Sequence, residues 1–284
     1  MKYLKLLASL CLLTAATAAE STIKHQFVCI GNHKNVLVYV DQFTPNKSWS
    51  IKVPKGSRDI QLISPNTLLV SHGTGASEYQ LRDGKKLKWS VSGYKGIQSA
   101  RRLANGKTIL LSIHGKLTTL DKDAKELNSI QIKHKPLDLR LLRVSSEGNW
   151  IIGSKKPRAV LEINAQGDIL QQTKTPGKGY TATKLSNGNY LASTGDECKV
   201  VEVKADGSVV RFVGGKKEHP ALKLDFNSGW NQLDNGNIIM TNWLGHKKHN
   251  TASHLLEFDT DNKLVWHWDD HQTVKQVTNL LVIK

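Results

Sequence analysis

The sequence predicts an all-β protein, a six-bladed β-propeller with four antiparallel strands in each blade, and three observations support this prediction. The first is a repeat: strands that follow turn-forming residues begin at Phe27, Leu68, Ile109, Trp150, Tyr190 and Ile238, with spacings of 41, 41, 41, 40 and 48. A period near forty residues with short strands is typical of propeller blades. The second is that each repeat can be filled with four strands, and the third is that the last segment of the chain completes the first repeat.

The fifth repeat shows how the strands of a blade are assigned. Its segments "YTATKL", "NYLAST", "KVVEVK" and "VVRFVG" are predicted as strands A, B, C and D, with A innermost. The turns "SNG" and "ADG" join them, as hairpins require. Strand C recurs as "VLVYVD", "AVLEIN" and "HLLEFD" in other repeats. Its alternation of apolar and polar residues is the mark of a half-buried strand.

The two ends of the propeller are predicted to meet in one blade. The first repeat begins at a strand B, and the chain ends with "VTNLLVIK", a strand A. This C-terminal strand therefore joins the N-terminal blade and removes two exposed sheet edges. The tryptophans of the predicted D strands are expected to pack between neighbouring blades. They are Trp49, Trp89, Trp266 and Trp268.

Residues 1–19 are predicted to be a signal peptide, and residues 20–284 a single propeller domain. Lys2 and Lys5 form a basic start, a short apolar stretch follows, and small residues up to Ala19 suit cleavage. The apolar stretch is too short to span a bilayer, and no later segment is apolar enough, so no transmembrane segment is expected. We expect an exported protein, periplasmic or extracellular.

The remaining cysteines and the charge narrow the classes of partner. Cys29 and Cys198 fall in blades that are not neighbours, so two buried free thiols are expected rather than a disulfide. The formal charge is +16, which becomes +14 when the two lysines of the signal are removed. Such an excess predicts anionic partners. Because export is expected, these partners are anionic glycans or other small anions and not nucleic acid. A monomer is expected.

The blade register sorts the connecting loops by side. The D-to-A and B-to-C loops emerge on one face, here called the upper face, and the A-to-B and C-to-D turns emerge on the lower face. The upper-face loops hold sixteen Lys and Arg but six Asp and Glu, a balance of +10, and include two long loops at 215–227 and 242–253. Long loops on a rigid ring often carry binding sites. A basic funnel for an anionic ligand is one interpretation, and lysines that serve solubility alone are the other.

The candidate ligand-binding residues are cationic, imidazole, amide and aromatic side chains of the propeller. They are Arg58, His72, His114, Tyr180, Trp230, Asn242, Trp243, His246 and His271. Cationic groups suit the carboxylate or sulfate groups of an acidic or sulfated saccharide. Trp230 and Trp243 would stack on sugar rings if they are exposed, and would be core residues otherwise.

Two kinds of chemistry are considered on the same face. A base beside a cation suits β-elimination on a uronic acid, as in a polysaccharide lyase. The candidate catalytic residues are His271, Tyr180 and Arg58. Three imidazoles at the ends of B strands either hold a divalent metal or form ordinary loop hydrogen bonds. They are His33, His72 and His114. No nucleophile elbow, Walker loop or dinucleotide fingerprint is present, so no cofactor is expected.

The blade pattern "L-x-N-G-N-x-L…V-x-E-x-D-x-x-G-x-V-V" resembles quinoprotein-like and arylsulfotransferase-like propeller repeats. With its "NWLGH" segment and its aspartate-histidine pair at 270–271, the chain is most similar to uncharacterised exported bacterial propellers. The resemblance implies the fold, and a histidine at the start of inner strands in some relatives. The matching positions here are Gln98 and Tyr180. The functions that remain open are anionic-ligand binding, a lyase or sulfotransferase-like enzyme, and a protein-interaction scaffold.

Overall fold

The computed structural model describes residues 22–134, 137–245 and 250–284. Within these residues the strands form six four-stranded antiparallel sheets, one per blade. In chain order the strands are β1 (Gln26–Gly31), β2 (Val36–Asp41), β3 (Trp49–Lys52), β4 (Ile60–Ser64), β5 (Thr67–His72), β6 (Gly75–Gln80), β7 (Lys86–Val91), β8 (Ile97–Arg102), β9 (Thr108–Ser112), β10 (Lys116–Leu120), β11 (Glu126–Gln131), β12 (Asp138–Val144), β13 (Trp150–Lys156), β14 (Ala159–Ile163), β15 (Ile169–Lys174), β16 (Ala182–Lys184), β17 (Tyr190–Ser193), β18 (Lys199–Val203), β19 (Val209–Gly214), β20 (Trp230–Gln232), β21 (Ile238–Thr241), β22 (Leu255–Phe258), β23 (Leu264–Trp268) and β24 (Val277–Val282). Blade 1 contains β24, β1, β2 and β3, and blades 2 to 6 contain β4–β7, β8–β11, β12–β15, β16–β19 and β20–β23, from strand A to strand D.

The predicted six-bladed propeller is confirmed. The B strands of blades 4, 5 and 6 begin at the predicted residues, and those of blades 1, 2 and 3 begin one residue earlier. The described residues also contain two short 3₁₀ helices, Pro45–Lys47 and Pro220–Leu222, each opened by a proline. None of the helices in this part of the chain has the length and hydropathy needed to cross a membrane.

The last strand closes the ring on the first, as predicted. Strand β24 pairs antiparallel with β1, and Cys29 lies opposite Leu280 in this register. The backbone nitrogen of Gln26 also donates to the carbonyl oxygen of Lys284 at 2.8 Å. Neither strand therefore presents an open edge on this side, which accounts for the incomplete first repeat of the sequence.

The turns between strands A and B are fixed by a buried glutamate in strand C. In blades 4, 5 and 6 the side-chain nitrogen of the turn asparagine donates to this carboxylate at 2.7 Å. The pairs are Asn149–Glu162, Asn189–Glu202 and Asn237–Glu257. A charge-assisted hydrogen bond satisfies each buried carboxylate, so the two recurring sequence features are one interaction.

Tryptophans of the D strands pack between neighbouring blades, as predicted. The indole nitrogen of Trp49 donates to the carbonyl oxygen of Leu81 in blade 2 at 2.8 Å. In blade 6 the ring of Trp266, 3% exposed, lies 6.0 Å from Phe27 of blade 1 with an edge-to-face geometry. These contacts join blades that share few backbone hydrogen bonds.

Both described cysteines are free and buried, as predicted. Cys29 lies in β1 of blade 1, and Cys198 precedes β18 of blade 5. Burial raises the pKa of both thiols, that of Cys198 to about 12. Neither side chain is therefore a thiolate at neutral pH, and both act as small apolar residues in the core.

Candidate functional site

The axis of the ring opens on the upper face into a cavity of about 250 Å³, here called the upper cavity. Loops and inner-strand starts of several blades line it. The lining residues are Asn32, Arg58, Arg140, Lys155, Tyr180, Phe226, Ser228, Trp243 and Thr278. Three residues proposed from the sequence, Arg58, Tyr180 and Trp243, therefore meet in one place.

Arg58 and Tyr180 form the centre of the upper cavity. The Nη1 atom of Arg58 donates to the hydroxyl oxygen of Tyr180 at 3.1 Å. The guanidinium of Arg140 lies over the ring of Tyr180, 5.5 Å from its centroid, a favourable cation–π arrangement. The phenol therefore lies between two cations. The backbone of Tyr180 is fixed separately, since its carbonyl oxygen accepts from the backbone nitrogen of Leu141 at 3.0 Å.

The backbone around Tyr180 leaves no room for adjustment. Gly153 approaches it so closely that an added Cβ would lie 2.2 Å from the Tyr180 carbonyl oxygen. Tyr180 itself is only 5% exposed. The position of its hydroxyl is therefore set by packing of backbone on backbone, which favours a preorganised site.

Cations outnumber anions around the upper cavity. Asp138 accepts a hydrogen bond from Nη1 of Arg140, and its second oxygen lies 3.9 Å from Nζ of Lys155. Among the described residues no carboxylate lies within ion-pair distance of Arg58. Burial and the adjacent Arg140 lower the pKa of Lys155, because desolvation and like charge both disfavour the ammonium form. Arg140 and Lys155 thus share a single carboxylate, and Arg58 pairs with none of the described carboxylates.

An aromatic wall closes one side of the upper cavity. The rings of Tyr180 and Phe226 meet edge-to-face with centroids 5.9 Å apart, and those of Phe226 and Trp243 do so at 6.0 Å. The backbone nitrogen of Trp243 donates to the carbonyl oxygen of Phe226 at 2.7 Å. The two long upper-face loops are joined by this bridge and present their aromatic residues together.

Asn242 has a structural role in the same region and does not line the upper cavity. It is fully buried, its Oδ1 accepts from the backbone nitrogen of Asp225 at 2.7 Å, and its Nδ2 donates to the carbonyl oxygen of Ser253 at 3.1 Å. The structure therefore uses the Asn242 amide in fixing the two long loops and does not bring it together with Arg58 and Tyr180.

A buried ionic network lies across the axis below the upper cavity. The carboxylate of Asp59, 1% exposed, accepts from Nη2 of Arg101 at 2.8 Å and from Nη1 of Arg143 at 3.2 Å. Asn279 donates to the same carboxylate at 3.2 Å, and the hydroxyl of Ser99 donates to it as well. These residues belong to the innermost strands or strand starts of blades 1 to 4. We call this network the Asp59 network; it joins the inner strands of four of the six blades.

Two lysines counted toward the basic upper face are paired with carboxylates of the same face. Nζ of Lys178 lies 2.9 Å from Asp196, and that of Lys216 lies 3.6 Å from Asp225. These pairs are partly exposed and contribute little stability. The cationic character of the face is therefore concentrated at the upper cavity more than the loop composition alone suggests.

The histidines considered for a metal site do not come together. His72 is buried, and its Nδ1 shares a hydrogen bond with the hydroxyl of Thr74 at 3.2 Å. His114 directs Nδ1 toward the carbonyl oxygen of Leu137 at 3.3 Å, and His33 lies exposed on blade 1. The described residues contain no group of three side chains placed to hold a metal ion. His72 and His114 therefore have local roles, away from the upper cavity.

Two other proposed residues lie elsewhere. Trp230 is 8% exposed on β20 and donates from Nε1 to the carbonyl oxygen of Thr181 at 3.3 Å, so most of its ring is buried and it does not line the upper cavity. The ring of His271 lies 4.5 Å from that of buried His254, and its Nε2 is 3.7 Å from Asp269. His271 therefore does not join Arg58 and Tyr180 as a catalytic base. His246 lies outside the described residues.

Arg140 and Phe226 are cavity residues that the sequence analysis did not single out. Arg140 lies in "DLRLLRV", a predicted innermost strand, where a charged residue in an apolar context indicates a side chain that faces the axis. Phe226 carries no such signal, because an aromatic residue in a long loop fits a core contact equally well.

Comparisons with known proteins show the fold. No family model matches the chain, and no curated protein sequence matches it. The structure is similar to that of a protein of unknown function from Bacteroides caccae, with a TM-score of 0.76, 21% identity, and coverage of 92% of this chain and 100% of that chain. It is also similar to a catalytically inactive virginiamycin B lyase from Staphylococcus aureus with quinupristin (TM-score 0.59, 10% identity, 86% and 84% coverage) and to a streptogramin B lyase (0.61, 11%, 88% and 82%).

At such identities the likeness extends to the propeller fold alone. It does not single out the quinoprotein-like or arylsulfotransferase-like type that the repeat residues resemble.

Proposed function

We propose that the protein binds a small anionic ligand in the upper cavity, most simply one unit of an acidic or sulfated saccharide. The observation that carries this proposal is the charge of the cavity: Arg140 and Lys155 share one carboxylate, and no carboxylate of the described residues pairs with Arg58. A carboxylate or sulfate placed among them would complete the ion pairing and accept charge-assisted hydrogen bonds.

The state of Lys155 supports the same conclusion. Its pKa is lowered because burial and Arg140 disfavour its charge. An anion bound next to Lys155 would offset both effects, so ligand binding should raise the pKa of Lys155. The free cavity thus holds a cation whose charge a ligand would stabilise.

The aromatic wall of the upper cavity and the Asp59 network beneath it limit the shape of the ligand. Phe226 and Trp243 offer apolar surface beside the cations, and such surfaces stack on sugar rings. The volume of about 250 Å³ lies below the roughly 300–1,000 Å³ of cavities that hold drug-sized ligands. Because the Asp59 network lies beneath the cavity, we infer that a single unit enters end-on and that a polymer does not thread through the ring.

A binding experiment with matched variants tests the proposal. Titration calorimetry would compare glucuronate, galacturonate and glucose 6-sulfate with neutral glucose. We expect the anions to bind and Arg58→Met or Lys155→Met to weaken them about tenfold or more, since a hydrogen bond to a charged group contributes about 1.5–3 kcal/mol. The control Lys217→Met removes an exposed cation of the same face and should leave affinity within about twofold. Equal weakening by the control, or tight binding of glucose, would reject the proposal.

The contact between Arg58 and Tyr180 favours a second candidate function, β-elimination on a uronic acid. The phenol of Tyr180 is in hydrogen-bond contact with one guanidinium and beneath another, and a base beside a cation is the pairing that β-elimination requires. Such a lyase would use Tyr180 and not His271. Unsaturated uronate absorbance that disappears in Tyr180→Phe, with binding retained, supports this candidate; binding without product in the wild type leaves the first proposal alone.

We further propose that the protein acts as a monomer outside the cytoplasm. The basic start and short apolar stretch of residues 1–19 support export. Detection of the mature chain in a periplasmic or culture-medium fraction tests this, and retention in the cytoplasm contradicts it.

A further inference from the structure

The opposite end of the axis holds a larger cavity, of about 700 Å³, here called the lower cavity. It runs from the centre of the ring across blade 6 to the joint with blade 1. Its lining includes Arg143, Thr183, Trp230, Leu233, Val282 and Phe43. The Asp59 network lies between the two cavities, so the lower cavity is reached from the lower face and is independent of the upper site.

Arg143, which lines the lower cavity, has an unused hydrogen-bonding edge. Its Nη1 donates to Asp59 at 3.2 Å and to the carbonyl oxygen of Leu142 at 2.7 Å. Within the described chain its Nε and Nη2 have no hydrogen-bond partner, and its side chain is 23% exposed. The Nε–Nη2 edge is the edge of a guanidinium that pairs bidentately with a carboxylate. The Asp59 contact holds this edge in a fixed orientation.

The rim of the lower cavity adds positive charge. Lys24 and Lys284 lie exposed at its outer end, whereas Asp234 is the one carboxylate side chain among the lining residues. His25, also at the rim, is already paired with Glu257 at 2.7 Å. Cationic side chains thus outnumber anionic ones in the lining, which favours an anionic ligand.

The remaining walls of the lower cavity are largely apolar. Val282 and Leu233 lie beside Trp230, and Phe43 at the outer end is 47% exposed. An exposed phenylalanine next to a concave apolar surface gains stability when a ligand covers it, by about 25 cal/mol for each Å² of apolar surface buried.

From these observations we propose that the lower cavity is a second binding site, for a carboxylate that carries an apolar body such as an aromatic or aliphatic acid. The carboxylate pairs with the Nε–Nη2 edge of Arg143. The apolar body lies along Trp230, Leu233 and Val282 toward Phe43. The volume and the apolar walls distinguish this ligand from the small polar anion proposed for the upper cavity, and neither proposal depends on the other.

Titration calorimetry with naphthalene-2-carboxylate tests the second site. We expect one molecule of naphthalene-2-carboxylate to bind each wild-type chain. The neutral naphthalene-2-carboxamide should bind at least about tenfold more weakly, because it lacks the charge that Arg143 recognises. Acetate, which lacks the apolar body, should also bind about tenfold more weakly.

Three variants locate the binding. Thr183→Trp fills part of the lower cavity from a half-exposed position without touching the Asp59 network, and should weaken naphthalene-2-carboxylate about tenfold or more. Arg143→Lys keeps a cation near Asp59 but loses the bidentate edge, and should weaken the binding of naphthalene-2-carboxylate about tenfold. Arg58→Met, in the upper cavity, should change nothing. No binding to the wild type, undiminished binding to Thr183→Trp, or loss of binding in Arg58→Met would overturn the proposal.

Discussion

Replacing Asp59 by asparagine tests whether the Asp59 network holds the centre of the ring together. The carboxylate is the anion of a buried pair: its own side chain is 0% exposed and that of Arg101 is 8% exposed. Arg101 also donates to the carbonyl oxygens of Leu142 at 3.0 Å and Ile60 at 3.1 Å. Because these bonds keep the guanidinium in place, Asp59→Asn would leave a buried charge without its counter-ion.

The magnitude follows from the burial of each partner. Breaking a buried ion pair by removing one partner costs about 3–5 kcal/mol. Asparagine keeps one accepting oxygen for Asn279 or Ser99, and Arg143, which is 23% exposed, can be hydrated, so the lower end of the range applies. We expect Asp59→Asn to lower the free energy of unfolding by about 3 kcal/mol.

Urea unfolding followed by tryptophan fluorescence measures this change, with an unchanged m-value as the check on two-state behaviour. The matched control is Asp168→Asn, whose partner Lys133 lies at 2.6 Å but whose side chain is 45% exposed. Because exposed pairs contribute little, the control should change stability by less than about 1 kcal/mol. The double variant Asp59→Asn/Arg101→Met should recover part of the loss. A single-variant effect below about 1 kcal/mol would refute the reasoning.

Three further outcomes are expected. Burial lowers the pKa of His254 from 6.5 to about 4, so between these pH values the unfolded chain binds this proton and the folded chain does not. The free energy of unfolding should therefore fall by about 3 kcal/mol as the pH drops from about 6.5 to about 4. Urea titrations at several pH values measure this slope, and His254→Gln should remove it. Gly153→Ala should displace the Tyr180 carbonyl, 2.2 Å from the new Cβ, and lower both melting temperature and anion affinity, whereas an unchanged melting temperature contradicts this contact. Cys29 and Cys198, buried with raised pKa values, should react with a thiol reagent only after denaturation; rapid labelling of the native protein would contradict their burial.

The register of the blades could be predicted from sequence because its signals are local. A turn asparagine and a strand C glutamate recur in three blades, and the structure joins them in one hydrogen bond, as between Asn189 and Glu202. Turn chemistry and alternation then fix each strand to within a residue. The closing strand could be predicted because the first repeat lacked a strand A.

The composition of the upper cavity was only partly predictable, because a register gives the face and not the distance from the axis. B strands lie one strand spacing, about 5 Å, outside the A strands. The long side chain of Lys155 crosses that distance, whereas His72 and His114 end in short hairpins and bond locally. Tyr180 and Arg58 precede A strands and so lie at the axis.

The side-chain orientations of Trp230 and His271 could not be predicted from the sequence pattern, for two different reasons. Successive residues of a strand point to opposite sides, and nothing local decides which side of β20 holds Trp230. The loop after β23 turns back when Oδ1 of Asp270 accepts from the backbone nitrogens of Gln272 and Thr273. That turn places His271 against His254, a contact made by residues far apart in sequence.

Because the first and last strands are neighbours, the order of the blades along the gene is arbitrary for the finished molecule. Thr278 and Ile30 touch although 248 positions separate them, and slow folding is expected for contacts of such long range. A circular permutant that links residue 284 to residue 24 through a few glycines, and opens the chain at the exposed loop near Gly93 between blades 2 and 3, would keep every blade intact within one continuous segment. Such a rearranged chain should reach the same wheel, and should reach it sooner.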